Sequence, residues 1–320
     1  MEHELEKFCR LFKKLKRASS NGGAPHKPIL LLAVLEGVRR GEITSNRIYI
    51  TPELILCFRE IWSKLVLTQH NLNFALPFFH MRTEPFWKLV CKPNMEIAVT
   101  SSNSIKSFKT LNEALAYAEI DLKLFLLLVD PVTNGVLNIT LLKEYFSKQD
   151  NLTVDYSLFK NIESEILNEE QSEYALRIKQ LEQTLTKEEV EEEFFVRGSL
   201  FKREVPKIYN YTCAITGMQV ISNSNAQMVD ACHIVPFSIS KDDTIGNGIS
   251  LSPTMHRAFD RGLITINENY VVRVSPIIKE DHNPYSLKKL EGKKINLPEN
   301  NKYYPLIENL IWHRKERWLV

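Results

Sequence analysis

The sequence holds little cysteine: five residues in 320, at positions 9, 57, 91, 213 and 232. Scattered and odd in number, they do not compose a disulfide framework and fit a reducing cytoplasm. No Cys-x-x-Cys pair exists, since Cys213 is followed three positions on by Thr216, and no structural zinc is expected. Apolar runs such as Leu124 to Val129 fall far short of the roughly 20 residues that span a bilayer. The N-terminus, MEHELEKFCRLFKKLKR, is charged throughout and shows no secretory pattern. The expectation is a cytoplasmic protein with no membrane partner.

Net charge is also scarce, at +2, but it is unevenly spread. Residues 1–110 hold 17 Lys/Arg against 9 Asp/Glu, a balance of +8. Residues 111–196 hold 7 against 18, or −11, and residues 197–320 hold 17 against 12, or +5. Two basic ends around an acidic middle suit two phosphate-facing modules joined by a segment held away from the polyanion. A hydrophobic content of 44% with 25% charged residues is that of a globular chain, and 320 residues suffice for two domains.

What is present concentrates between Cys213 and Ile266. Met228 to Val235 reads as a strand carrying His233 and stopped by Pro236. Asn247 lies in a Gly-Asn-Gly turn before a second short strand, Gly-Ile-Ser-Leu. Ser252-Pro253-Thr254 is a helix start, with His256 just behind it. His256 and Asp260, four apart, project from one face of that helix. Asp230, three before His233, is a third candidate ligand, but strict alternation turns it to the other face, so a bulge or strand end is expected there. Cys232, adjacent to His233, is of a type that binds metal, but buried packing is the expected role. Taken singly each residue has a bland explanation, because a lone strand histidine is more often a packed residue than a catalyst.

Strand, loop, strand and helix with His233, Asn247 and His256 at the junctions resembles the ββα-metal unit of HNH nucleases. The Cys-Ala-Ile-Thr-Gly entry and the His-Arg-Ala-Phe-Asp-Arg-Gly-Leu-Ile exit strengthen the likeness. The resemblance implies that His233 takes a proton from water and that Asn247 orients the loop. It also implies a divalent ion, Mg²⁺, Mn²⁺, Co²⁺ or Ni²⁺, on His256 with Asp230 or Asp260.

The N-terminal part begins with an amphipathic helix, apolar at Leu5, Phe8, Leu11, Phe12 and Leu15 and basic on much of the rest. His26-Lys27-Pro28 opens a buried helix, Ile43 to Ile50 reads as a strand, and Thr51-Pro52-Glu53 starts another helix. Glu96 to Thr100 reads as a strand, and residues 111–150 as helix with a break at 130–135. PHKPILLL, ITPELILCFREIW and LPFFHM…PFWKL together resemble the sulfur-binding domain of McrA-type restriction endonucleases, which grips phosphorothioate DNA. The resemblance places Leu76, Pro77 and Phe78 against sulfur, with His26, Lys27, His80 and Arg82 around it as DNA contacts.

The expected fold class is α+β in three parts: a mixed α/β recognition domain over 1–150, an acidic helical linker over 151–196, and a ββα-metal nuclease domain over 197–320. The expected partner is double-stranded DNA carrying phosphorothioate. One HNH site cuts one strand, so a homodimer is expected, with the helix leading to Phe195 as a candidate contact. Three alternatives stay open here: a front domain that reads methylated or unmodified DNA, a catalytically inactive DNA-binding regulator, and a first domain over 1–150 that binds a protein with its positive charge incidental.

Overall fold

A computed structural model describes residues 2–19, 22–95, 107–146, 153–222, 226–281 and 283–320. The chain forms two compact units, one of Met1–Lys160 with Leu185–Val196, the other of Asn161–Thr184 with Arg197–Val320. Among the described residues no single helix is long and apolar enough to cross a membrane.

The first unit is built around the helix His26–Arg39, in which every residue from Lys27 to Val38 is buried. Its apolar run leaves no polar face, so other elements must cover it on all sides. The helices Glu2–Lys13, Pro52–Leu65, Ala75–His80, Leu122–Val129 and Pro131–Tyr145 belong to the same unit. A three-stranded antiparallel sheet completes it, with β1 (Arg47–Ile48), β2 (Trp87–Cys91) and β3 (Leu115–Ile120) in the order β1-β3-β2. The strand expected over 43–50 is thus confined to two residues.

One reading of 111–150 is corrected and another is narrowed. Leu115–Ile120 is the central strand, because its backbone pairs on both sides with strands remote in sequence, and that pairing overrides the helix propensity of Leu-Ala-Tyr-Ala-Glu. The break expected over 130–135 narrows to Asp130, between the helix that ends at Val129 and the one that starts at Pro131. Asp130 accepts a hydrogen bond from the Thr133 amide and Pro131 occupies the first turn, so the helix runs from Pro131 to Tyr145. The strand expected over 96–100 lies outside the described residues.

The acidic segment is helical, as Ser157–Asn168, Gln171–Thr184 and the start of Lys187–Ile208. It does not stand apart as a linker, for its residues are divided between the two units. Ile162, Ile166, Tyr174 and Ile178 are buried in the second unit, and Glu192 and Glu193 in the first.

In the second unit β4 (Asp230–His233) pairs antiparallel with β5 (Gly248–Leu251), shorter than the strand expected over 228–235. The helix Pro253–Asp260 follows, then the hairpin of β6 (Ile264–Ile266) and β7 (Val272–Val274), and finally the helix Ile307–Glu316. Two glycines hold this module together by what they lack. Gly262 has φ +66°, and a Cβ there would lie 1.9 Å from the Arg317 carbonyl oxygen. A Cβ on Gly248 would lie 2.6 Å from Val205 and 2.9 Å from Phe201, so only glycine lets β5 approach the helix Lys187–Ile208.

Candidate functional site

The β4–β5 register opposes Cys232 to Ile249 and His233 to Gly248. Alternation along β4 then sorts the side chains. Asp230 and Cys232 meet the helix Pro253–Asp260, whereas His233 stacks on Phe201 with ring centroids 4.0 Å apart and 10° between planes. Asp230 therefore reaches His256 without a bulge.

His233 Nε2 is 2.8 Å from Oδ1 of Asp243. A carboxylate can only accept, so Nε2 carries the proton and Nδ1 presents its lone pair. Asp243 is wholly buried and its Oδ2 has no hydrogen-bond partner. Sequence reasoning missed this residue. The only signal was the Asp242-Asp243 pair in the loop, and spacing does not say which of the two reaches the ring. Asp242 is otherwise engaged, accepting from the Thr244 amide and from Gln171. Burial raises its carboxyl above the ordinary value.

Asn247 closes the loop. Its Oδ1 accepts from the Val235 amide at 2.8 Å, and its Nδ2 donates to the carbonyls of Val235 at 2.9 Å and Asp242 at 3.0 Å. The residue is fully buried and contacts the loop on both sides of its apex. It thereby fixes the backbone just before Asp243.

His256 stands between two carboxylates, with Nδ1 3.4 Å from Asp230 Oδ2 and Nε2 3.4 Å from Asp260 Oδ2. Both carboxylates are more than half exposed at the side chain. This donor set fits a divalent ion. An ion taken through one ring nitrogen leaves the other to a carboxylate, which fixes tautomer and ring orientation. Cys232 joins the group, the ligating atoms of Cys232, His256 and Asp260 all lying within 4.8 Å of one another. Asp260 and His233 line one pocket of about 280 Å³ with Ile234, Pro236, His313 and Arg317, so the His233 imidazole and the Asp260 carboxylate open on the same space. His313 is a packing residue here. It stacks on Phe259 at 3.6 Å and bonds to the Phe259 carbonyl and Thr265, and burial lowers its pKa to about 4.

The first unit holds a larger cavity of about 770 Å³. His26, Lys27, Leu76, Pro77 and His80 line it, as the sequence suggested, together with Lys16, Arg17, His70 and the small residues Ala18 and Ala24. Two expectations are corrected. Phe78 is wholly buried between Phe74 and Trp87, a core residue with no face toward the cavity. Arg82 is not among the lining residues, and its guanidinium lies 4.0 Å over the Phe79 ring. Lys27 is buried too, its ammonium bonded to Thr83 and, at 2.5 Å, to the buried carboxylate of Glu84. His26 Nε2 donates to the Asn71 carbonyl, and the ring packs on Trp62. Burial lowers its pKa, and burial followed by the charges of Arg82 and Lys27 lowers that of His80. Imidazoles, cations and small apolar walls describe the cavity.

Residues 213–267 match the family model for HNH endonucleases. No curated protein matches the sequence. Four solved chains match, among them a modification-dependent restriction endonuclease, TagI, at 17% identity with a TM-score of 0.30. The likeness covers 38% of this chain and 38% of that one, and at that extent decides nothing about fold or substrate here. The second unit thus carries an HNH endonuclease domain, the cutting domain of a DNA endonuclease.

Proposed function

We propose that this HNH protein is a modification-dependent DNA endonuclease, in which the first unit reads phosphorothioate DNA and the second hydrolyses a phosphodiester bond. The observation that carries the reading is the pocket in which the carboxylate-held imidazole of His233 faces the carboxylate of Asp260, which itself lies 3.4 Å from His256.

His233 is the general base, accepting a proton from water at Nδ1 while Asp243 holds the Nε2 proton. Phe201 fixes the ring plane, and Asn247 fixes the loop that delivers Asp243. His256 and Asp260, with Asp230 on the other ring nitrogen, would hold a divalent ion: Mg²⁺, Mn²⁺, Co²⁺ or Ni²⁺. Such an ion supplies charge neutralisation at the phosphate and the leaving oxygen.

The cavity of the first unit supports the phosphorothioate reading through its chemistry. Sulfur is larger, softer and less hydrated than oxygen, so it favours apolar walls, here Leu76, Pro77, Ala18 and Ala24. Lys16 and Arg17 supply charge for the flanking phosphates. The deciding experiment is divalent-ion-dependent cleavage of matched duplexes that carry or lack one sulfur substitution. Cleavage of the sulfur duplex alone is expected. Equal cleavage of both would assign the front unit to another feature of DNA, such as methylated or ordinary sequence. Binding without any cleavage would make the chain a DNA-binding regulator.

Because one HNH site cuts one strand, a double-strand break calls for a second copy. The helix leading to Phe195 is occupied within its own unit, since Phe195 packs on Phe108 and Glu192 and Glu193 pair with Arg59. A better surface is the exposed stripe Leu122, Leu126, Val129 and, past the corner, Val132, Val136, Ile139. Both halves follow i, i+4, i+7 spacing, which puts each on one helix face. Between Leu124 and Leu142 the only charged residue is Asp130, which caps a helix, so the stripe can meet its own copy without like-charge repulsion. Leu126→Glu with Val136→Glu should convert a dimer to monomer in sedimentation. A wild-type chain that sediments as a monomer at all concentrations would remove the second copy.

A further inference from the structure

We infer that Cys232 is a ligand of the ion site and makes it select borderline and soft divalent ions, such as Co²⁺ and Zn²⁺, over Mg²⁺. This rests on the reading that His256 and Asp260 hold an ion.

The sulfur is placed by the fold. Pairing of Cys232 with Ile249 in the β4–β5 register turns its side chain to the face that meets the helix Pro253–Asp260. There Sγ lies 3.8 Å from Asp260 Oδ1, within the group of ligating atoms that includes the His256 ring nitrogen. A cysteine present only to fill space would face apolar neighbours. This one faces a carboxylate and an imidazole, and its sulfur also lies 3.6 Å from the His233 carbonyl. The residue is wholly buried, so water does not compete for the sulfur side of the site. The exposed carboxylates of Asp230 and Asp260 leave the opposite side open to solvent and substrate.

The mixture of donors sets the preference. Carboxylate and water suit Mg²⁺, which gains nothing from sulfur, whereas imidazole and sulfur favour Co²⁺ and Zn²⁺. Two neighbouring residues of β4 then divide the work: Cys232 faces the ion and His233 faces the water to be activated.

The test measures ion binding to the full chain, without DNA, by calorimetry and by absorption with Co²⁺. Wild type should bind Co²⁺ at least about a hundredfold more tightly than Mg²⁺ and show a sulfur-to-cobalt charge-transfer band in the near ultraviolet. His256→Ala should abolish that band, which assigns it to this site and not to another cysteine. Cys232→Ser should remove the band and weaken Co²⁺ by about tenfold to a hundredfold, with Mg²⁺ affinity held within about twofold. Cys232→Ala, checked for folding by circular dichroism, repeats the measurement if the serine variant does not fold, and the wild-type band needs no variant. Co²⁺ binding that depends on His256 but shows no sulfur band overturns the inference and leaves the ion site intact. No binding of either ion, in wild type or variants, overturns both.

Discussion

Two sets of histidines sit in opposite electrostatic settings. In the second unit each functional imidazole is coupled to carboxylate, His233 to Asp243 and His256 to Asp230 and Asp260. In the cavity of the first unit, His26 bonds to a carbonyl and packs on Trp62 and His70, and His80 lies near Arg82 and Lys27, with burial lowering the pKa of both. Carboxylates around an imidazole gather a cation and hold a proton at one nitrogen. Cations and burial around an imidazole lower its pKa instead. On the proposed function, one residue type serves cutting in one unit and reading in the other.

The largest effect expected from breaking this contrast is His233→Ala. Single-turnover cleavage should fall about 10²- to 10⁴-fold, while duplex binding changes little. Undiminished cleavage by the variant would falsify the assignment of the base.

Next is Lys27→Ala, which leaves the buried Glu84 carboxylate without its partner. Urea unfolding should show a loss of about 3–5 kcal/mol, and Lys27→Met with Glu84→Leu should recover most of it. If stability holds and only DNA binding weakens, Lys27 is a contact residue as its sequence position suggested.

A third effect concerns pH. The folded pKa of His313 is about 4, below its unfolded value of 6.5, because burial disfavours the charged ring. Its contribution is whole above pH 6.5 and is lost as pH falls toward 4, about 3 kcal/mol in all. Urea midpoints at pH 4.5 and 7.5 should converge in His313→Gln; an unaltered gap would place the acid sensitivity elsewhere.

The smallest effect expected is Asp243→Asn. It should lower kcat about tenfold to a hundredfold with KM nearly unchanged, as befits a residue that positions the base. A change confined to KM would make Asp243 a binding element.

Much of the catalytic module was legible because its signals are short-range. Pro236 and Gly246 bound the strands, Ser252-Pro253 starts the helix, and four-residue spacing puts His256 and Asp260 on one face. The recognition cavity was half legible. Leu76 and Pro77 line it, but Phe78, one position on, turns inward to Phe74 and Trp87. No pattern in six residues of a short aromatic helix says which face the core will take.

By itself the sequence determined the order of elements around His233, the helix face of His256 and Asp260, and the alternation that separates Cys232 from His233. All of these depend on backbone periodicity over a few residues. Only the tertiary structure decided that Asp243 rather than Asp242 meets His233, that Cys232 meets Asp260, and that Leu115–Ile120 is a central strand. Those outcomes depend on where a loop closes and which remote strands pair, and the contacts that set them, Asn247 to Asp242 and β3 to β1 and β2, join residues that local spacing does not relate.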